Sequence, residues 1–238
     1  GAASGDIMTD PSARTLGKSA LFRELGNAYR DLNAEAGVPF DFGFPHERSG
    51  RVVERLLGFV RVAPCSEAGR RLAAPPLVGR LRRRLLRLRE GFAPGPAWDD
   101  FAERLHARPG WRTDRSSDVV LWRLSRPGFA YRVFRLLDLR GRCRGFAVTT
   151  LRGDRALLVD LQVADERSSD LPDLVGAVHE ALRGTAADRL VFRSSREDVL
   201  AERLRGELGF VEEPSDTALH VRACLPAFDA ASTGRVLE

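Results

Sequence analysis

The stretch DIMTDPSARTLGKS, residues 6–19, sets how the rest of the chain is read. Residues 1–9 alternate loosely in the manner of a strand, and from Lys18 onward Leu21, Leu25, Ala28 and Leu32 recur at helical spacing, with Phe22 and Tyr29 beside them, until Gly37. RTLGKS (14–19) therefore falls between a strand and the start of an amphipathic helix. A loop in that position presents several backbone N–H groups to an anion. Gly17 lets the backbone approach closely, Ser19 is small and can cap or donate, and Arg14 and Lys18 add positive charge where the helix dipole already favours a diphosphate. R-x-x-G-x-S alone is a short string in an arginine-rich chain, so its meaning depends on the elements around it.

Downstream, VPFDFGF (38–44) is short, aromatic and bounded by Gly37 and Pro45, which predicts a strand. Val52, Val53, Leu56 and Leu57 then form the apolar face of a short helix, and VRVA (60–63) is a second strand. Residues 77–90, LVGRLRRRLLRLRE, place Leu77, Leu81, Leu85 and Leu88 on one face, which predicts a connecting helix ahead of a GFAPGP linker. Beyond it the pattern predicts two helices (PAWDDFAERLHAR and SSDVVLWRLSR) and three strands separated by Arg-Gly and Gly-Asp turns. A helix over 171–184, a strand over 189–195, a helix over 197–209 and a strand over 217–225 complete an α/β pattern with a largely continuous sheet. FDFGFPHERSGRVVERLLGFV (40–60) is echoed by LVFRSSREDVLAERLRGELGFV (190–211), and GDIMTDP (5–11) by VDLQVAD (159–165). The spacing is nearly constant, pairing Asp6 with Asp160, Phe42 with Phe192 and Gly58 with Gly209, and predicts two copies of one supersecondary unit.

Composition narrows the function classes. With 238 residues and 43% hydrophobic content the chain can bury a large core or two smaller ones. It contains no apolar run of the ~20 residues that a bilayer crossing needs and no signal-like start, which predicts a cytoplasmic, membrane-free protein. Cys65, Cys143 and Cys224 are far apart and the four histidines lack ligand spacing, so neither disulfide nor metal site is expected. The net charge of +5 comes almost wholly from arginine, Lys18 being the only lysine, and acids are interspersed throughout. Nucleic-acid binding through residues 80–89 is the least supported reading, whereas phosphate-bearing ligands suit the charge.

A strand ending in Thr-x-Pro, then an R-x-x-G-x-G/A-like loop, here RTLGKS with Ser19 at its last position, opening an amphipathic helix, a short strand and a helix ending in Gly-Phe resembles the acyl-CoA half of the GNAT superfamily of N-acyltransferases, from Asp6 to about Val62. FGFPHE (42–47) is similar to an F-G-F-P-N segment of some bacterial members, with His46 in place of the Asn. The resemblance implies a GNAT-like α/β fold with a partial first copy over 1–75, a connecting helix and linker over 76–96, a second and degenerate copy over 97–228, and a tail over 229–238. The family's first helices and first three strands would precede Gly1, so the chain reads as truncated, with an edge open to homodimer formation. The resemblance also implies acetyl-CoA or another acyl-CoA as co-substrate, without a metal. Thr9 would meet the pantetheine arm, and Arg14, Thr15, Leu16, Gly17, Lys18 and Ser19 the pyrophosphate. In the second copy, residues 163–172 lack the loop, and Asp165, Glu166 and Asp170 would repel a diphosphate.

Acyl transfer to a small-molecule or peptide amine needs a base for the ammonium, an oxyanion donor and a proton for the departing thiolate. In the family a tyrosine often supplies that proton. Here Glu54 or Val53 stands in its place, and only Tyr29 and Tyr131 exist. Asp6 reads as a base or a solvated strand-end carboxylate. His46 reads as a base, a contact to the CoA arm or a surface-loop residue. The remaining histidines read as surface or helix-face residues, and Trp122 as core, although its WRL setting and Tyr131 are similar to an acceptor-side segment of tandem members. Two functions follow: an N-acyltransferase acting on a primary amine, or a non-catalytic GNAT-like binding or scaffolding module.

Overall fold

The structure, a computed structural model, describes residues 2–3, 18–74, 86–108, 114–166, 168–195, 199–213, 215 and 217–225. In chain order its elements begin with β1 (Ala2–Ala3), α1 (Lys18–Glu35), β2 (Phe40–Gly43), α2 (Glu47–Leu57), β3 (Val60–Arg71), β4 (Leu86–Glu90), α3 (Pro96–His106) and α4 (Ser117–Leu124). They continue with β5 (Tyr131–Asp138), β6 (Cys143–Arg152), β7 (Arg155–Val163), α5 (Asp170–Leu182), β8 (Arg189–Ser195), α6 (Val199–Leu208), β9 (Val211–Glu213) and β10 (Ala218–Ala223). The chain forms two compact units, one of Gly1–Ser66 with Pro214–Glu238 and the other of Glu67–Glu213. β3 gives its first residues to unit 1 and the remainder to unit 2.

In unit 1 the strand order is β1-β2-β10-β3. β1 runs parallel to β2, a pairing that needs a long crossover connection, here one that includes α1, and β10 is antiparallel to both β2 and β3. Phe40, Leu219 and Val221 form a small core with Phe42, Val62 and Ala63 against it. α1 has the predicted span but buries a different face. Leu25 is 43% and Leu32 63% exposed, while Gly26 is buried. A Cβ on Gly26 would come within 2.3 Å of Leu57 Cδ2, so α1 and α2 meet through a residue without a side chain. Spacing identifies an apolar stripe; which stripe is covered depends on what lies opposite.

Unit 2 has the order β7-β8-β3-β9, with β6, β5 and β4 continuing beyond β7. β7 and β8 are parallel and linked through α5, while β5, β6 and β7 form an antiparallel meander. The two units thus share one order of elements: strand, helix, parallel strand, helix and strand, with one strand inserted from elsewhere in the chain. α5 lays Leu171, Leu174, Val175, Val178 and Leu182 into the core, and Trp98, Phe101 and Leu105 of α3 pack on Phe146 in a second cluster.

Two local expectations are overturned. Residues 86–90 of the predicted connecting helix are the strand β4, paired antiparallel with β5; residues 75–85 lie outside the described residues. LRLRE alternates with period two, so Leu86 and Leu88 turn toward the core while Arg87 and Arg89 are exposed on the other face, and Glu90 at the strand end pairs with Arg132 at 2.7 Å. Trp122 is 74% exposed rather than core, on the outer side of α4.

His179, read as a surface or helix-face residue, lies on the inward face of α5, fully buried and bonded through Nε2 to the Arg71 carbonyl at 3.1 Å. Burial lowers its pKa below the ordinary histidine value, and the Arg70 and Arg183 charges reinforce this against the opposing pull of the carbonyl. Because the unfolded chain then binds the proton more readily, the stability present at neutral pH is lost as pH falls below ~6.5 toward the folded-state value. Urea midpoints measured between pH 7.5 and 5 are expected to fall, and to fall less in His179→Gln. Equal slopes for the two proteins would refute the assignment.

Candidate functional site

Asp6, Thr9, Arg14, Thr15, Leu16 and Gly17 lie outside the described residues, while Lys18 and Ser19 open α1. In the sequence that segment lies between β1 and the 18-residue helix α1. The first turn of α1 carries no acidic residue.

The corresponding helix of unit 2 is closed by the chain's own groups. Asp170 and Asp173 occupy the first turn of α5, and Arg144 pairs with Asp170 at 2.9 Å. Arg108 donates to the Val163 carbonyl and to Glu166, and Arg203 donates to the carbonyls of Glu166 and Ser168. Acids and carbonyls already held by arginines fit a diphosphate poorly.

His46 is the N-cap of α2. Its ring accepts from Ser49 N at 3.4 Å and lies 2.9 Å from Ser49 Oγ, and its backbone bridges to Thr217. It is exposed, and the described contacts give it a capping role.

The chemistry within the described residues of unit 1 gathers one turn further along α2. A cavity of about 290 Å³ is lined by Gly50 and Glu54 of α2, Arg61 of β3, Ser215, and Ala218 and His220 of β10. His220 is only 3% exposed, a correction to the surface reading, and stands 2.9 Å from Glu54 Oε1 through Nε2 and 3.0 Å from the Ala218 carbonyl through Nδ1. The β3–β10 register shifts between Leu219 and His220, a bulge of the kind that re-aims a side chain. Gly50 makes room for the ring: a Cβ there would lie 3.0 Å from His220 Nε2. One residue pair along β10, Arg222 closes on Asp41 and reaches the Leu57 carbonyl at 3.5 Å.

The sequence reading named Glu54 for its position but missed His220. A signal was present in TALHVRA, where period-two alternation sets His220 and Arg222 on one face and Leu219 and Val221 on the other. Two polar residues sharing a strand face between two other strands imply partners. Cysteine chemistry is not offered by these residues: burial pushes the Cys143 thiol up to about 11, and burial with the Asp41 charge does the same for Cys224. Among the described residues no group of His, Cys, Asp and Glu could hold a metal, and no helix is long and apolar enough to cross a membrane.

Solved structures described as acyltransferases or GNAT proteins have folds similar to this one. The chain is similar to a probable N-acyltransferase of Enterococcus faecalis at 13% identity and TM-score 0.58, covering 93% of this chain and 54% of that one. It is similar to a GCN5-related N-acetyltransferase of Anabaena variabilis at 13% and 0.59, covering 92% and 54%. A tandem GNAT protein from the clavulanic acid biosynthesis pathway matches at 15% and 0.55, covering 95% and 76%. The chain thus has the mixed α/β fold of the GNAT N-acetyltransferases, and it spans about half the length of the first two. No family model and no curated protein matches it.

Proposed function

We propose that the chain belongs to an N-acyltransferase that moves an acyl group, acetyl in the simplest case, from acyl-CoA to a primary amine, with unit 1 holding the acyl-CoA. The observation that carries this reading is the parallel β1/β2 pair joined through α1, whose acid-free first turn directly follows Gly17, in a fold shared with N-acetyltransferases. Thr9 would face the pantetheine arm, and Arg14 to Ser19 would hold the diphosphate through backbone N–H groups, Arg14 and Lys18. The thioester supplies an activated acyl group to the amine. Asp6 and His46 remain the proposed base candidates, His46 with its capping bonds to Ser49 as a competing demand. The closed N-terminus of α5 supports a single acyl-CoA site rather than two.

Titration calorimetry tests the reading. Saturable acetyl-CoA binding is expected, and Gly17→Glu, which sets a like charge and a side chain against the diphosphate, is expected to weaken it at least about tenfold, the effect of ~1.4 kcal/mol. Absence of binding by the unsubstituted chain would exclude it. Thiol release over an amine panel then separates transfer from the non-catalytic binding module, which the missing tyrosine on α2 favours.

A further inference from the structure

We infer that Glu54 and His220 form the proton-donating pair of acyl transfer in the unit 1 cavity, so that β10 supplies a functional residue to a site lined also by α2 and β3. This rests on the N-acyltransferase reading above.

The hydrogen bonds determine where the protons lie. A carbonyl can only accept, so the 3.0 Å contact with Ala218 O requires His220 Nδ1 to carry a hydrogen. Nε2 then faces Glu54 Oε1 at 2.9 Å, and two lone pairs at that separation would repel, so one proton lies between them. The ring is sealed in, its side chain 4% exposed, whereas Glu54 is 39% exposed and opens on the cavity. A deliverable proton is thus held by a buried base and presented by a carboxyl at a wall of a cavity large enough for a small amine. Gly50, the bulge at His220 and the seating of β10 all maintain this contact.

Transfer balances through this pair. As the neutral amine nitrogen bonds to the acyl carbon and the C–S bond breaks, the sulfur takes the proton from the Glu54 carboxyl. The amide nitrogen sheds its surplus proton to solvent, and solvent returns one to the pair. Glu54 is the group that meets the sulfur; His220 is a positioning residue acting through it.

Three proteins test this in parallel with the unsubstituted chain: Glu54→Gln, His220→Gln and Gly50→Ala, the last a helix-favouring change that displaces the ring without removing it. Thiol release from saturating acetyl-CoA is expected to drop about 10²-fold in Glu54→Gln and His220→Gln, with acetyl-CoA affinity by calorimetry unchanged within about threefold. In nitrogen-15 spectra of the histidine side chains, His220 should show a hydrogen on Nδ1, and its Nε2 signal should shift in Glu54→Gln and Gly50→Ala. Unchanged release rates in folded variants overturn the pair while leaving the N-acyltransferase reading intact. So does a His220 ring without a hydrogen on Nδ1. Acetyl-CoA binding by the unsubstituted chain with no thiol release across the amine panel overturns the pair together with acyl transfer, and leaves the binding module. Absence of acetyl-CoA binding in the unsubstituted chain overturns both.

Discussion

Arg222→Ala is expected to lower the stability of unit 1 by about 3–5 kcal/mol, because it leaves a buried carboxylate without its cation. Asp41 is 0% exposed, and its carboxylate takes both Nε and Nη2 of Arg222 together with Asn33 Nδ2 at 2.5 Å. The guanidinium also lies 4.9 Å from the centre of the Phe59 ring. The pair joins β2 to β10 and α1, so its loss should loosen the strand that carries His220. Urea unfolding measures the loss. The partnered change, Asp41→Leu with Arg222→Met, removes both charges and is expected to recover most of it, since an apolar pair of similar size avoids the desolvation cost altogether. A loss under about 1 kcal/mol for Arg222→Ala would show that water reaches Asp41.

Trp98→Ala is expected to cost unit 2 about 3–5 kcal/mol. The indole is 2% exposed, meets Phe92 and Phe146 edge-on at 4.8 and 4.9 Å between ring centres, and donates to the Arg115 carbonyl at 3.0 Å. Its removal takes away both packing and the donor that fixes Arg115, whose guanidinium pairs with Asp160 of β7 at 3.0 Å. Trp98→Phe separates the two effects, because a ring remains while the donor goes; a loss of about 1–3 kcal/mol is expected there. Equal losses in the two variants would mean that the hydrogen bond, not the volume, dominates.

The sequence reading succeeded where the signal is local. α1 to α6 follow from apolar spacing, with glycines just beyond α1, α2, α5 and α6, and β2, β5, β6 and β7 from short runs between turns. It failed where a residue's state depends on a distant neighbour. LRLRE fits a helical stripe or a strand equally well, and pairing with β5 decides. VRVA extends to Arg71 because β9 and β10 pair along its length. Trp122 and the α1 leucines are apolar by type, but exposure follows from what packs opposite them.

For this protein the sequence by itself determined the six helices α1 to α6 and the place of residues 14–19 directly ahead of α1, since each rests on residues within a turn or two of one another. Only the tertiary structure decided that β10 lies between β2 and β3. That placement brings His220 to Glu54 and Arg222 to Asp41, pairs separated by 166 and 181 positions. Strand insertion is selected by the free energy of pairing and burial across the whole unit, and no short window of sequence contains it.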